Sequence, residues 1–330
     1  MRLELPRVDV IGVGLNAADT ILVLPHFPEF NSKVELLSSS LLLGGQVATA
    51  MVACQSWGLS TRYVGKVGAD AAAELHEAAF REAGVEAHLV REPNCPSQKA
   101  FILVDQRSGE RTILWQRDTR LELRPKEINP EWVRRARLLH VDGHDTAAAA
   151  AAARWAREAG IPVTADLDNL YPGVEHLLPH VDYVLASREF PERLLGEPDL
   201  RRSLPEIQRR YGCKVAAATL GRQGVLAWDG ERFCYRSGFV VDAVDTTGAG
   251  DVFHAGFIYG LKGALKGTSR GAWGLEVILD FACAAAALNC TAPGARGGIR
   301  PVAEIEALMR SGRRHQPEAS FEDLAHPSKS

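Results

Sequence analysis

The sequence predicts an α/β fold: a doubly wound, mostly parallel sheet flanked by helices, with a smaller β-sheet beside it. Three observations carry this expectation. From Ala136 onward, short apolar strand patterns alternate with helical ones, the rhythm of βαβ units. Two earlier segments, 20–43 and 97–118, are β-rich and read as strands of a separate small sheet. Finally, the β-branched run Phe239–Val244 leads into a glycine turn that opens a helical pattern.

The elements follow in order. Val8–Gly14 reads as a buried first strand. Gly12-Val13-Gly14-Leu15-Asn16-Ala17 matches a dinucleotide fingerprint only formally, because Thr20–Pro25 continues as strand where that fingerprint needs a helix. Gly44-Gly45 then opens an alanine-rich helix through Trp57, stopped by Gly58. Tyr63–Asp70 is a strand and turn before a helix over about 71–83. Ser97–Val104 and Glu110–Gln116 alternate around Arg107-Ser108-Gly109, a hairpin signal. Arg111 and Arg117 are expected to pair at the surface. Strands are expected at 138–142, 162–166, 183–186, 215–219 and 224–228, with a helix from Thr146 to Ala159. Leu279–Leu288 is small and apolar, as a helix-packing face would be. Residues 311–330 lose periodicity and read as a flexible tail, leaving 1–310 as one domain.

Composition narrows the function. A chain of 330 residues, 46% apolar, can bury a large core, and its net charge of −3 gives no electrostatic case for nucleic acid. Six scattered cysteines without a Cys-x-x-Cys pair argue against a zinc site or a disulfide framework. No leader-like segment or membrane-length apolar run is found. The expectation is a cytoplasmic protein with no membrane partner.

The chemistry concentrates in Asp245-Thr246-Thr247-Gly248-Ala249-Gly250-Asp251. Small residues at 248–250 let backbone amides crowd together just before a helix, where the dipole favours an anion. A carboxylate beside such a hole suits phosphoryl transfer to a hydroxyl. Asp251 takes the proton, and the amides of Gly248, Ala249 and Gly250 hold phosphoryl oxygens. No Gly-x-x-x-x-Gly-Lys-[Ser/Thr] loop exists, and Gly260–Ser269 resembles one only superficially. Asp142, His144, Asp166 and Asp168 lie near strand ends, but their spacing fits no standard zinc arrangement.

The run from Asp245 to Asp251, continued by Val-Phe-His-Ala-Gly, resembles the C-terminal signature of the ribokinase-like (PfkB) carbohydrate kinases. The likeness extends from Val8 to about Pro301. It implies a ribokinase-like fold whose small sheet is a lid, with ATP and Mg²⁺ as cofactors and a sugar or sugar acid as acceptor. By the same resemblance, Asp19 grips sugar hydroxyls, and Asn16, Gly44, Gly45, Gln46 and Thr49 line the acceptor side. Gln46 and Thr49 stand where the family commonly has asparagine. Thr219, Gly221 and Gly224 form the nucleotide-side turn. Ser187 and Glu189 are stand-ins for the family's Asn-x-x-Glu, and Asn289 begins a loop closing over adenine. Asp166 is expected to hold Mg²⁺ through water, and Asp245 with Thr247 to border a monovalent cation such as K⁺. A homodimer through the lid is expected. A nucleoside kinase of the same family and a silent sugar- or nucleotide-binding protein are the alternatives.

Overall fold

The apolar run Val8–Val13 is buried and becomes β1, the centre of the large sheet. The computed structural model describes residues 5–107, 111–261 and 273–325. Ser108 and Gly109 of the expected hairpin turn, nearly all of Gly260–Ser269 and the last five residues of the expected tail lie outside them.

Among the described residues the large sheet has nine strands. On one side of β1 lie β4 (Thr61–Val67) and β5 (Glu86–Arg91). On the other lie β8 (Ala136–Asp142), β9 (Val163–Leu167), β10 (Tyr183–Ser187), β11 (Val215–Thr219), β12 (Val225–Trp228) and β13 (Phe233–Arg236). Pairing is parallel from β5 through β11, and β12 and β13 then run antiparallel at the edge. The Gly221–Gln223 turn is too short for a crossover, so β12 returns as a hairpin. Neither β5 nor β13 was anticipated.

Successive strand residues face opposite layers, as the two-residue pleat requires. Ile11, Leu139, Val184 and Ala216 pack on the side of helices Thr146–Glu158 and Leu200–Tyr211. Val10, Leu138, Leu185 and Ala217 pack on the side of Gln46–Ser56, Ala249–Gly260 and Leu275–Asn289. A Cβ on Gly256 would come within 2.7 Å of the Ala282 backbone. The small residues of 279–288 therefore serve a close helix crossing. The winding reverses between β1 and β8, which opens a crevice at their carboxyl ends, the usual ligand position in such sheets.

The lid is a second sheet ordered β3 (Ser38–Gly44), β2 (Ala17–Leu24), β6 (Lys99–Asp105), β7 (Arg111–Gln116). Its inner row, Ile21, Ala100 and Ile102, is buried. Leu41, Phe101 and Leu114 lie on neighbouring strands in a row with Thr20 and remain exposed.

The expected flexible tail is corrected over most of its length. Arg314 bridges to Phe239 and stacks 4.1 Å above its ring. Arg188 pairs with Glu318 at 3.2 Å, and buried Phe321 stacks on Tyr235 at 5.3 Å. Lone anchors spaced along a polar stretch produce no period, so sequence patterning misses them. Replacing Phe321 by alanine should lower stability by about 3 kcal/mol in urea unfolding; no change would mean the segment is not part of the packed core.

Candidate active site

Gly248 sits at the start of the helix Ala249–Gly260 with φ of +73°, a conformation that glycine adopts without strain. A Cβ there would also collide with the Ala295 carbonyl. The first turn of a helix leaves its amides without intrahelical acceptors. Ala249 N–H donates to Thr246 O at 3.3 Å, so this amide is partly taken. Among the described residues no acceptor is recorded for the amides of Gly248, Gly250 and Asp251. The amides left open to an acceptor are therefore those of 248, 250 and 251, with Ala249 of the expected 248–250 set partly taken. A Cβ on Gly250 would meet nothing within 4 Å, so the space beside it is open.

A cavity of about 360 Å³ ends at this turn. Thr219, Gly221 and Gly224 line one wall, Phe239, Val241 and Ala243 another, and Ala249 with Gly250 close it, while Cys283, Ala286 and Cys290 face it from the neighbouring helix. Its apolar walls and anion-binding end suit a nucleotide. Asn289 is not in this wall, contrary to expectation. It is fully buried, and its Nδ2 donates to Thr247 O at 3.2 Å and Ala295 O at 3.1 Å, tying two loops together. Ser187 and Glu189 do not line the cavity either. Ser187 Oγ donates to Asp168 O at 2.9 Å, and Glu189 is exposed at the head of the helix Phe190–Leu195.

Asp251 is not among the residues that line this cavity, and it feels the carboxylates of Asp166 and Asp168. Burial pushes its carboxyl up to about 7, with Asp166 adding to the rise and His254 and Arg296 opposing it. Asp166, at the end of β9, is buried and lies 3.2 Å from His254 Nε2. Burial would raise Asp166, yet His254 outweighs it and holds it below the usual range, with help from a Gln46 hydrogen bond. The expected water-mediated Mg²⁺ position at Asp166 is thus already engaged by His254 and Gln46. Buried Asp142 accepts from the amides of Leu15 at 2.7 Å and His144 at 3.1 Å, and burial raises it to about 8.

On the acceptor side Asp19 lies in β2 of the lid. Burial raises it to about 6, against the pull of Arg296. Gly44 allows this approach, because a Cβ there would sit 2.6 Å from Asp19 Oδ2. Gly45, at φ of +95°, backs onto the Asn16 backbone. Asn16 Nδ2 is used by Tyr63 Oη at 2.9 Å and Lys66 O at 3.1 Å. Among the described residues, the buried carbonyl oxygens Asn16 Oδ1 and Gln46 Oε1 both lack a donor. Buried Thr49 holds Arg296, whose Nε lies 3.5 Å from its hydroxyl.

Asp245 and Thr247, expected to border a monovalent cation, are bonded to each other and to the neighbouring loop. Asp245 Oδ1 accepts from Thr247 N–H at 2.8 Å and Thr247 Oγ1 at 2.7 Å, and Oδ2 accepts from Gly294 N–H at 2.7 Å. The positive charge beside them is Arg111 of lid strand β7, 3.4 Å from Asp245 and 3.1 Å from Thr247 Oγ1. Arg117 pairs with buried Asp145 at 2.7 Å. Sequence reasoning missed Arg296, the His254–Asp166 pair and the reach of Arg111. The available signals were a lone arginine among Pro293, Gly294, Ala295, Gly297 and Gly298, and a histidine one turn after Asp251.

A cavity fit for a nucleotide, unpaired amides at its inner end and a proton-hungry carboxylate beyond them define a small-molecule kinase. Comparison with known proteins makes this specific. The pfkB family carbohydrate kinase model matches residues 9–301, and the chain belongs to that family. It is 29% identical over 312 residues to an ATP-dependent ribose-1-phosphate kinase of Halopiger xanaduensis, covering 93% of this chain and 99% of that one. Among solved structures it resembles the ribokinase of Thermotoga maritima, with a TM-score of 0.78, 23% identity and 92% and 100% of the two chains covered. It also resembles the Arabidopsis thaliana ribokinase complexed with ribose and ATP, with a TM-score of 0.76, 23% identity and 92% and 99% covered. The protein is an ATP-binding sugar kinase with the ribokinase-like fold. No helix among the described residues is long and apolar enough to cross a membrane.

Gly250→Ala should fold normally but lose roughly 10²-fold or more in kcat, because its methyl enters the space of the phosphoryl oxygens; an unchanged kcat would mean that space is not used. With Asp251 acting as the base, kcat/KM should fall about tenfold per pH unit below about 7. The folded chain also holds this proton more tightly than the unfolded chain. Its stabilising contribution is therefore fully present below about pH 4 and lost as pH rises through about 7. Melting temperatures of the protein and of Asp251→Asn should converge at low pH and diverge, with the variant higher, at pH 8.

Proposed function

We propose that the chain transfers the γ-phosphoryl group of ATP to a primary hydroxyl of a monosaccharide or sugar acid. The observation that carries this is the pair of orphaned carbonyl oxygens, Asn16 Oδ1 and Gln46 Oε1, on the acceptor side. Buried acceptors without donors favour a ligand with several hydroxyls and disfavour one lacking them. Asp19 supplies a further acceptor, and a carboxylate receiving hydroxyl hydrogen bonds orients an alcohol well. The relative named as a ribose-1-phosphate kinase supports an acceptor of sugar size.

In this reading ATP occupies the cavity between Thr219–Gly224 and Ala249–Gly250. Its γ-phosphoryl oxygens meet the N–H groups of Gly248, Gly250 and Asp251. The acceptor hydroxyl gives its proton to an Asp251 carboxylate oxygen as its oxygen bonds to phosphorus and the bond to ADP breaks. Asp168 and Glu189 supply hard oxygens near the strand ends, a sparse set that suits Mg²⁺, which keeps waters and takes phosphate oxygens. When bound, the ion neutralises phosphate charge. Leu41, Phe101 and Leu114, which share one exposed face of the lid, support a homodimer in which a second copy covers them.

The test is kcat/KM for ribose, fructose, 2-keto-3-deoxygluconate and adenosine under one set of conditions. Sugars or the sugar acid should lead, and adenosine leading by a wide margin would favour the nucleoside-kinase alternative. Asp19→Ala should raise the acceptor KM about 10–100-fold while the ATP KM stays within about twofold; an acceptor KM that does not move would make Asp19 structural.

A further inference from the structure

Arg296 reaches the acceptor side from the loop that follows the helix Leu275–Asn289. Its Nη2 donates to Gly44 O at 3.2 Å, its Nε lies 3.5 Å from Thr49 Oγ1, and its guanidinium sits 5.6 Å from the Phe80 ring centre. These partners are all neutral. Asp251 and Asp19 are close enough to be felt, yet among the described residues neither forms an ion pair with it. No acceptor is recorded there for its Nη1. Burial weakens this guanidinium's hold on its proton, bringing it down to about 10.

An enclosed guanidinium with no direct ion-pair partner among the described residues is an expensive arrangement. Lining the chamber with leucine or methionine would have been cheaper. The two neighbouring carboxylates are occupied otherwise: Asp251 takes a proton, and Asp19 meets hydroxyls. A guanidinium offers a planar fork of donors that matches a carboxylate or a phosphate group. Its position among Gly44, Thr49, Asp19 and Asp251 puts that fork beside the acceptor, while the nucleotide cavity is lined by other residues.

We propose that Arg296 binds an anionic substituent of the acceptor, so that the preferred substrate is a sugar acid or a sugar phosphate and not a neutral sugar. This rests on the sugar-kinase reading above and narrows its substrate class. The free Nη1 and the fork's outer edge pair with the substituent's oxygens, while the contacts to Gly44 and Thr49 fix the fork's orientation. The substituent supplies the direct ion pair that neither Asp19 nor Asp251 makes.

The test measures ADP release by the full chain with ATP and four acceptors. Ribose and fructose are neutral, 2-keto-3-deoxygluconate carries a carboxylate, and ribose 1-phosphate carries a phosphate. The wild type should prefer one of the two anionic acceptors, and which one leads identifies the group. In Arg296→Gln the ratio of anionic to neutral kcat/KM should fall on the order of 10- to 100-fold, through the acceptor KM. Arg296→Lys should recover part of that ratio, because the charge is kept while the fork is lost. An equal loss on all four acceptors would place Arg296 on the transferred phosphoryl group and overturn the proposal. If the variants fail to fold, the wild-type panel still decides, since ribose or fructose leading both anionic sugars would overturn it. That result would leave the sugar-kinase reading standing, whereas transfer to none of the four would defeat both.

Discussion

Gly248 has no room for a side chain, and much of the site depends on that closeness. Its Cα lies against the Ala295 backbone, so the loop that opens the catalytic helix and the loop that closes the domain are pressed together. Polar groups lock the pair: Asn289 Nδ2 bridges Thr247 O and Ala295 O, and Asp245 Oδ2 receives Gly294 N–H. Val244 N–H adds a bond to Cys290 O at 2.7 Å. This contact aims the unpaired amides at the end of the nucleotide cavity. It also carries Arg296, the next residue, into the acceptor chamber.

Around that clasp the protein concentrates charge where solvation is poor. Asp251, Asp142 and Asp19 are all pushed upward by burial, while Asp166 stays low because His254 holds it. Burial and pairing thus push these carboxylates' proton affinities apart. The lid joins the same system through Arg111, which reaches from β7 to Asp245 and Thr247. Lid position and the geometry of the catalytic turn are thereby connected by one exposed side chain.

Much of the fold was legible because its signals are local. Val8–Val13, Val163–Leu167 and Val215–Thr219 are apolar runs bounded by breakers, and Asp70 and Gly84 cap the helix Ala71–Ala83 as their residue types predict. β5 escaped notice because Glu86–Arg91 is half-buried and its charged ends break the apolar run. The antiparallel edge escaped because strand direction is set by connection length, not by strand composition. In the site, Asp251 and the glycines were readable as a contiguous motif. Arg296 was not: its partner Gly44 is 252 residues away, and nothing in either local pattern names the other. Asn289 was expected at the nucleotide because its loop resembles the family's closing loop over adenine, whereas packing buries it between two loops.

The central claim is that a carboxylate made basic by burial, beside unpaired helix amides, removes the acceptor's proton during phosphoryl transfer. The measurement that tests it most directly is kcat for Asp251→Asn with ATP and the best acceptor, alongside ATP affinity by calorimetry. The side chain keeps its size and loses its capacity to take a proton. The account predicts that kcat falls by about 10²–10⁴-fold while ATP binding is retained. A variant that turns over at the wild-type rate would contradict it.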